Sequence, residues 1–135
     1  MAIPNGAGGY QVSAGNRGEP TMGVSGPPST ATSTATLTAA QILAGILVAN
    51  PSTTAATYTL PTAALIDVAI PNAVAGSTVD LRIVNIGTST GTVTLAMGTG
   101  ITNGGNAAVV IAITSSASFR FLKTADAAWT VYRTS

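Results

Sequence analysis

The stretch Thr78-Val79-Asp80-Leu81-Arg82-Ile83 decides the fold class, because its polar and apolar residues alternate strictly. A period of two is expected when one face of a β-strand is buried and the other meets solvent. The same alternation returns in residues 92–97 and 119–123, and residues 129–133 form a further strand-like run. Turn-forming residues separate these segments. The stretch from Thr78 to Ser135 therefore predicts a series of short strands.

The connections between these segments predict the topology. They are three to eight residues long, which suits antiparallel neighbours and is too short for the crossovers that parallel strands need. Residues 98–105 are glycine-rich and predict a loop, whereas the β-branched run 108–113 predicts a central strand covered on both faces. We therefore expect a mainly-β domain, an antiparallel β-sandwich or barrel-like fold arranged as a meander, with one or two short helices.

Two segments before Thr78 carry helix signals. Thr38 and Gln41 have the spacing of a capping box, and Gly45 is a possible terminator. The apolar residues of this first helix recur at helical spacing: Ala39, Ile42, Leu43 and Ile46. The second helix is expected to open at Pro61 or Thr62 and to stop before Pro71. Each helix is expected to pack one face on the sheet.

The N-terminal segment differs in composition from the rest of the chain. Residues 1–33 contain seven glycines and four prolines, whereas the remaining 102 residues contain eight and three. Such a segment buries too little apolar area to offset its backbone entropy, so an extended arm is expected. We therefore divide the chain into an arm, 1–33, and a β-rich domain, 34–135. Sparse side chains of the arm are candidates for contact with a partner surface: Ile3, Tyr10, Val12, Arg17, Met22 and Val24.

Charge and composition exclude several partners. Charged residues make up 7% of the chain, against about 25% in ordinary soluble proteins, so part of this surface is expected to be covered by other protein. A net charge of +1 from scattered basic residues predicts no nucleic-acid binding. The apolar stretches are too short to span a bilayer, and the N-terminus does not resemble a signal peptide, so no membrane association is expected.

The inventory of reactive side chains argues against catalysis. Histidine and cysteine are absent, which removes Ser-His-Asp and Cys-His catalysis and every metal site built on those residues. The four carboxylates show no acid–base spacing, and Asp80 with Arg82 is interpreted as a solvent-facing pair on one strand. We therefore expect no catalytic residue, no metal and no cofactor. Four aromatic residues are assigned to the core or to an oligomer interface, with the choice left open: Phe119, Phe121, Trp129 and Tyr132.

Several segments together resemble the small capsid decoration, or cement, proteins of tailed double-stranded DNA bacteriophages. The resemblance rests on 38–45 (TAAQILAG), 60–65 (LPTAAL), 76–85 (GSTVDLRIVN), 93–102 (VTLAMGTGIT) and 129–133 (WTVYR), following a Gly/Pro-rich arm. It implies a structural virion protein on the outer capsid surface, made in the host cytoplasm. Its partners would be the major capsid protein, which it would bridge through the arm, and copies of itself, with a trimer favoured and a dimer possible.

Two other functions are weighed against this one. A fibre or receptor-binding module would hold a host glycan on the β-domain, and Trp129 and Tyr132 would then need exposure. A hydrolase acting on surface polysaccharide is disfavoured by the scarcity of carboxylates and the lack of histidine.

Overall fold

The protein is mainly β with two short helices, as the sequence predicts. The computed structural model describes residues 26–135 and, of the preceding segment, the backbone of Ile3–Pro4 and Tyr10–Gln11. The strands are β1 Ile3–Pro4, β2 Tyr10–Gln11, β3 Ser29–Ala31, β4 Ala35–Thr36, β5 Ile46–Ala49, β6 Ala56–Thr59, β7 Thr78–Asn85, β8 Val93–Ala96, β9 Ile101–Gly105, β10 Ser115–Ala125 and β11 Ala128–Arg133. The helices are α1 Ala39–Leu43 and α2 Ala63–Ala69.

Two sheets share one hydrophobic core. The larger sheet has six strands in the order β3-β5-β7-β10-β11-β9, and the smaller has three in the order β4-β6-β8. Strands β1 and β2 pair only with each other. Inward side chains of both sheets, such as Leu81 and Phe119 from the larger and Tyr58 and Leu95 from the smaller, belong to a single buried cluster. The Tyr58 hydroxyl also donates to the Ala31 carbonyl oxygen (3.0 Å), which joins the two layers.

The antiparallel meander expected over residues 78–135 is wrong at β7 and β8, which lie in different sheets, and the strands of the first half of the domain are parallel. Strands β3, β5 and β7 run parallel to one another, and so do β4, β6 and β8. The chain alternates between the sheets and makes three stacked coils, 29–45, 46–76 and 77–97, each with one strand per sheet. The prediction took short loops as a sign of antiparallel neighbours. In the structure these loops join strands of different sheets, so their length does not report on pairing within a sheet. The parallel neighbours are one whole coil apart, which leaves room for the crossover that they require.

The second half of the domain follows the prediction more closely. Strand β10 is antiparallel to both β7 and β11, and Phe119 faces Leu81 across the first of these ladders. The alternation read in residues 119–123 is real, since Phe119, Phe121 and Lys123 all point inward and are buried. Strand β9 then joins β11 in parallel as the far edge of the sheet.

The two helices connect the smaller sheet back to the larger one. Helix α1 has the predicted capping box, in which the Thr38 hydroxyl accepts from the Gln41 N–H and the Gln41 side chain accepts from the Thr38 N–H. It ends at Leu43, and Gly45 has a positive φ of 80°, so Ile46 starts β5 and does not extend the helix. Helix α2 is capped by Thr62 and ends before Pro71, as expected.

The predictions for residues 98–113 are wrong. The glycine-rich segment contains strand β9, and the run 108–113 is a loop in which only Ile111 is buried, bridging Val93. The Asn103 side chain accepts from the N–H groups of Gly105 (3.2 Å) and Ala107 (3.1 Å), and Asn106 has a positive φ of 55°. These contacts turn the chain out of the sheet, so β-branched residues that favour a strand lie beyond its end.

The folded domain begins earlier in the chain than the sequence predicts. Ser29–Ala31 pair with Leu47, Val48 and Ala49 of β5, so the folded domain starts at or before Ser29 and not at Thr34. The composition does not reveal this strand, because its three residues are small and two of them are polar.

Candidate functional site

The six arm residues predicted to bind a partner lie outside the residues whose side chains the structure describes. Ile3 and Tyr10 fall in the backbone pairing of β1 with β2, and no more is defined for them. The other four are Val12, Arg17, Met22 and Val24.

The four aromatic candidates separate into two groups. Phe119, Phe121 and Trp129 are at most 1% exposed and belong to the core. Tyr132 is 39% exposed on the opposite face of the sheet. The choice between core and oligomer interface is thereby resolved in favour of the core for these three residues. Of the four, only Tyr132 is exposed enough to contact a ligand or a partner.

The outward face of the six-stranded sheet is the surface on which Tyr132 lies. Its side chains, called the outer sheet face below, come from the positions that alternate with the core: Ile46, Val48, Asp80, Arg82, Val84, Ser118, Arg120, Leu122 and Tyr132. Asp80, Arg82, Arg120 and Tyr132 are exposed, and no described helix or strand covers them.

Charged side chains occupy the middle of the outer sheet face. Asp80 pairs with Arg120 across the β7–β10 ladder through two hydrogen bonds, Nε to Oδ1 (2.8 Å) and Nη2 to Oδ2 (2.9 Å). The expected pairing of Asp80 with Arg82 is wrong, since Arg82 donates its Nε–H to the Ser118 hydroxyl (3.1 Å). Cross-strand neighbours are closer than residues two apart on one strand, which explains the choice of partner. The hydrogen bonds from Arg120 lower the pKa of Asp80 and keep it ionised.

Tyr132 lies beside this charged group. It is the cross-strand partner of Arg120, and its ring rests against Gly104 of the neighbouring strand β9. A Cβ atom at position 104 would stand 2.5 Å from Cε1 of Tyr132, so only glycine lets the ring lie there. The ring is consequently supported on one side and exposed on the other.

A second polar cluster fastens helix α2 to the β10–β11 hairpin. Asp67 accepts from the Ala127 N–H (2.7 Å) and from Nε1 of Trp129 (2.8 Å), and its Oδ1 lies 3.0 Å from Nζ of Lys123. Lys123 is only 6% exposed, and the exposed Asp126 carboxylate is 3.7 Å from its Nζ. The Ala127 N–H, then Lys123 and Trp129, lower the pKa of Asp67. We interpret this cluster as structural.

Sequence reasoning missed the roles of Asp67 and Asn85. Asn85 is buried, and its Nδ2 donates to the carbonyl oxygens of Gly91 (2.9 Å) and Ile111 (3.3 Å) while Oδ1 accepts from the Gly87 N–H (3.0 Å). It thereby holds the 108–113 loop against the third coil. The available signal was its position at the inward phase of the alternation in residues 78–85, where a polar residue needs partners.

Comparisons with known proteins identify no relative. No protein-family model, curated protein or solved structure matches this chain. Residues 26–135 hold no group of three or more acidic, histidine or cysteine side chains placed to bind a metal ion. Within the described part of the chain, no helix is long and apolar enough to cross a lipid bilayer.

Proposed function

We propose that this protein is a bacteriophage capsid decoration protein that binds the outer surface of the shell and stabilises it by bridging major capsid protein subunits. The proposal starts from the sequence resemblance. The structural observation that best supports it is that charged side chains of this charge-poor domain bond to other parts of the same domain.

This use of charge is clearest at Asp67, which binds the nearly buried Lys123. The exposed pair of Asp80 with Arg120 adds little. Arg133 donates to the carbonyl oxygens of Val109 (2.9 Å) and Val110 (3.4 Å) and thereby holds the 108–113 loop. Side chains committed to such bonds are suited to a rigid body, and a rigid body is what a structural role requires.

The bridging role is assigned to the N-terminal segment. It enters the domain at β3, an edge strand of the larger sheet, so the segment leaves the body at its side. Because β1 pairs back on β2, the reach of the segment is set by the 14 residues between Gln11 and Gly26, which span at most about 50 Å when extended. A single such segment would bind weakly, but several segments on one oligomer would gain about 10²- to 10⁴-fold through avidity.

The test compares full-length protein with a variant lacking residues 1–25, which leaves β3 intact. Both are added to undecorated phage particles, and bound copies and the temperature of genome release are measured. We expect saturable binding and a raised release temperature for the full-length protein only. Equal binding by the shortened variant would refute the role of the segment, and no binding by either would refute the proposed function.

The proposal includes a homo-oligomer, with a trimer favoured. Exposed apolar side chains such as Val68 and Val74, 78% and 68% exposed, lie on a surface with few charges to keep copies apart. Light scattering on the variant lacking residues 1–25 should still report an oligomer. A monomer at high concentration would place the oligomer contacts in the N-terminal segment.

A further inference from the structure

Exposed apolar side chains gather at the two ends of the six-stranded sheet. Of the nine large hydrophobic side chains that are exposed in the described part of the chain, seven lie at one end or the other. Those that follow β7 and β9, called the loop patch, are Ile86, Val109 and Val110. Those on α1, on α2 and in the turn before β7, called the helix patch, are Leu43, Leu65, Val68 and Val74. Grouped apolar exposure marks contact sites, so each end is a candidate interface.

The two patches lie at opposite ends of the same strands. Strand β10 is antiparallel to both β7 and β11, so β7 and β11 run parallel. Arg133, at the end of β11, donates to the carbonyl oxygens of Val109 and Val110, whereas Asp67 of α2 accepts from the Ala127 N–H just before β11 starts. The eight residues of β7 separate the two ends by about 25 Å. Each copy of the protein thus offers two separate apolar surfaces.

The loop patch is held in one position by hydrogen bonds. The Ile111 N–H donates to the Val93 carbonyl oxygen (2.7 Å), and the Ile111 carbonyl oxygen accepts from the Val93 N–H (3.0 Å) and from Nδ2 of Asn85 (3.3 Å). Arg133 holds the two preceding carbonyl groups. The loop is therefore ordered before any partner arrives, which removes part of the entropy cost of binding.

The charges beside the two patches have opposite sign. The exposed Asp126 carboxylate lies beside the helix patch, since it contacts Lys123, which is bound to Asp67 of α2. Arg133 lies beside the loop patch, and among the described residues no side-chain carboxylate pairs with it. Two helix patches in contact would bring two Asp126 carboxylates together, whereas a helix patch on a loop patch brings Asp126 towards Arg133. Like charges brought together are unfavourable, so the unlike patches are matched.

We propose that the loop patch of one copy packs on the helix patch of a second copy. Three or four large side chains are far fewer than the roughly 20 to 30 residues that each side of a stable pairwise interface uses. A single contact is therefore weak, and a closed ring, in which every copy uses both of its ends, stabilises it. The inference rests on the proposed function only for the existence of the homo-oligomer, and it names the surfaces that join the copies.

The experiment uses single cysteines, because the chain contains none of its own. Full-length Val68→Cys and Val109→Cys are mixed under reducing conditions at low concentration, then concentrated and oxidised, and covalent dimers are separated on a denaturing gel. A disulfide requires Cα atoms within about 7 Å, so we expect at least about tenfold more dimer in this mixture than in either variant alone. Thr57→Cys, exposed on the outward face of the smaller sheet, is the matched control and should form no dimer with either variant.

Charge substitutions give a second readout. Val68→Lys and Val109→Lys should each shift the protein from oligomer to monomer in light scattering, whereas Thr57→Lys should not. The proposal is overturned if either cysteine variant alone forms as much dimer as the mixture, or if the mixture forms none while light scattering reports an oligomer. A monomeric unmodified protein would overturn it together with the proposed oligomer. Capsid binding is measured separately, so a cross-linked ring that leaves particles undecorated would support this contact and refute the proposed function.

Discussion

At the scale of single residues, Asp67 and Lys123 form the most consequential pair. The ammonium group of Lys123 is nearly buried, whereas the Asp67 side chain is 21% exposed and reaches water. A buried ion that loses its partner is far more costly than one that can be solvated. The two partners are therefore not equivalent, although they share one contact.

Replacing each partner in turn should reveal this difference. Asp67→Asn leaves the nearly buried Lys123 charge with only the exposed Asp126 carboxylate, 3.7 Å away, whereas Lys123→Met removes the buried charge and keeps most of the apolar stem. We expect Asp67→Asn to lower the unfolding temperature more than Lys123→Met does. Thermal unfolding followed by circular dichroism measures both. The reverse order would mean that the ammonium group is solvated through a route that the structure does not show.

The same cluster predicts an acid dependence of stability. The folded-state pKa of Asp67 lies below its ordinary value of about 4, so its stabilising contribution is present above that pH and is lost as the pH falls through the folded-state value. The unfolding temperature should drop below pH 4, and the drop should be smaller in Asp67→Asn. Asp80→Asn is the control, because its exposed pair with Arg120 contributes little. An identical drop in Asp67→Asn would contradict the assignment.

At the scale of secondary-structure elements, the coils stack at close-approach glycines. A Cβ atom on Gly98, the residue directly after the third coil, would collide with the backbone carbonyl oxygens of Leu60 and Pro61 in the second coil. Gly98→Ala should destabilise the protein by about 1 to 3 kcal/mol or more, because the two backbones must move apart. Chemical denaturation measures this loss. Gly26→Ala meets no atom within 4 Å and is the matched control. Equal effects would mean that the coils can shift freely.

How far the elements could be predicted depended on whether their signals were local. The capping box at Thr38 and the alternation in residues 119–123 report on neighbouring residues, and both are confirmed. The pairing of β5 with β7 depends on contacts a whole coil away, and no local pattern encodes it. Tyr132 was predicted as a candidate, but the ring support from Gly104 and the pairing of Asp80 with Arg120 exist only once the strands are aligned.

At the scale of the whole molecule, the first coil belongs to the body. Deleting residues 1–25 should leave the unfolding temperature of the domain nearly unchanged, since β3 remains. Deleting residues 1–31 removes β3 and with it the acceptor of the Tyr58 hydroxyl and of the Asn50 N–H. We expect this deletion to be less stable than the deletion of 1–25, because β5 loses its ladder partner and Tyr58 loses its acceptor. Equal stability of both deletions would show that β3 contributes nothing to the body.

The strand order also sets when the protein can finish folding on the ribosome. Strand β11 is synthesised after β9 and β10 yet lies between them, so β9 has no neighbour in its sheet until Ala128–Arg133 have been made. The same strand carries Trp129 and Val131, which complete the core. A nascent chain lacking β11 thus keeps an unpaired strand and an open core, the features that expose an incomplete chain to aggregation and proteolysis.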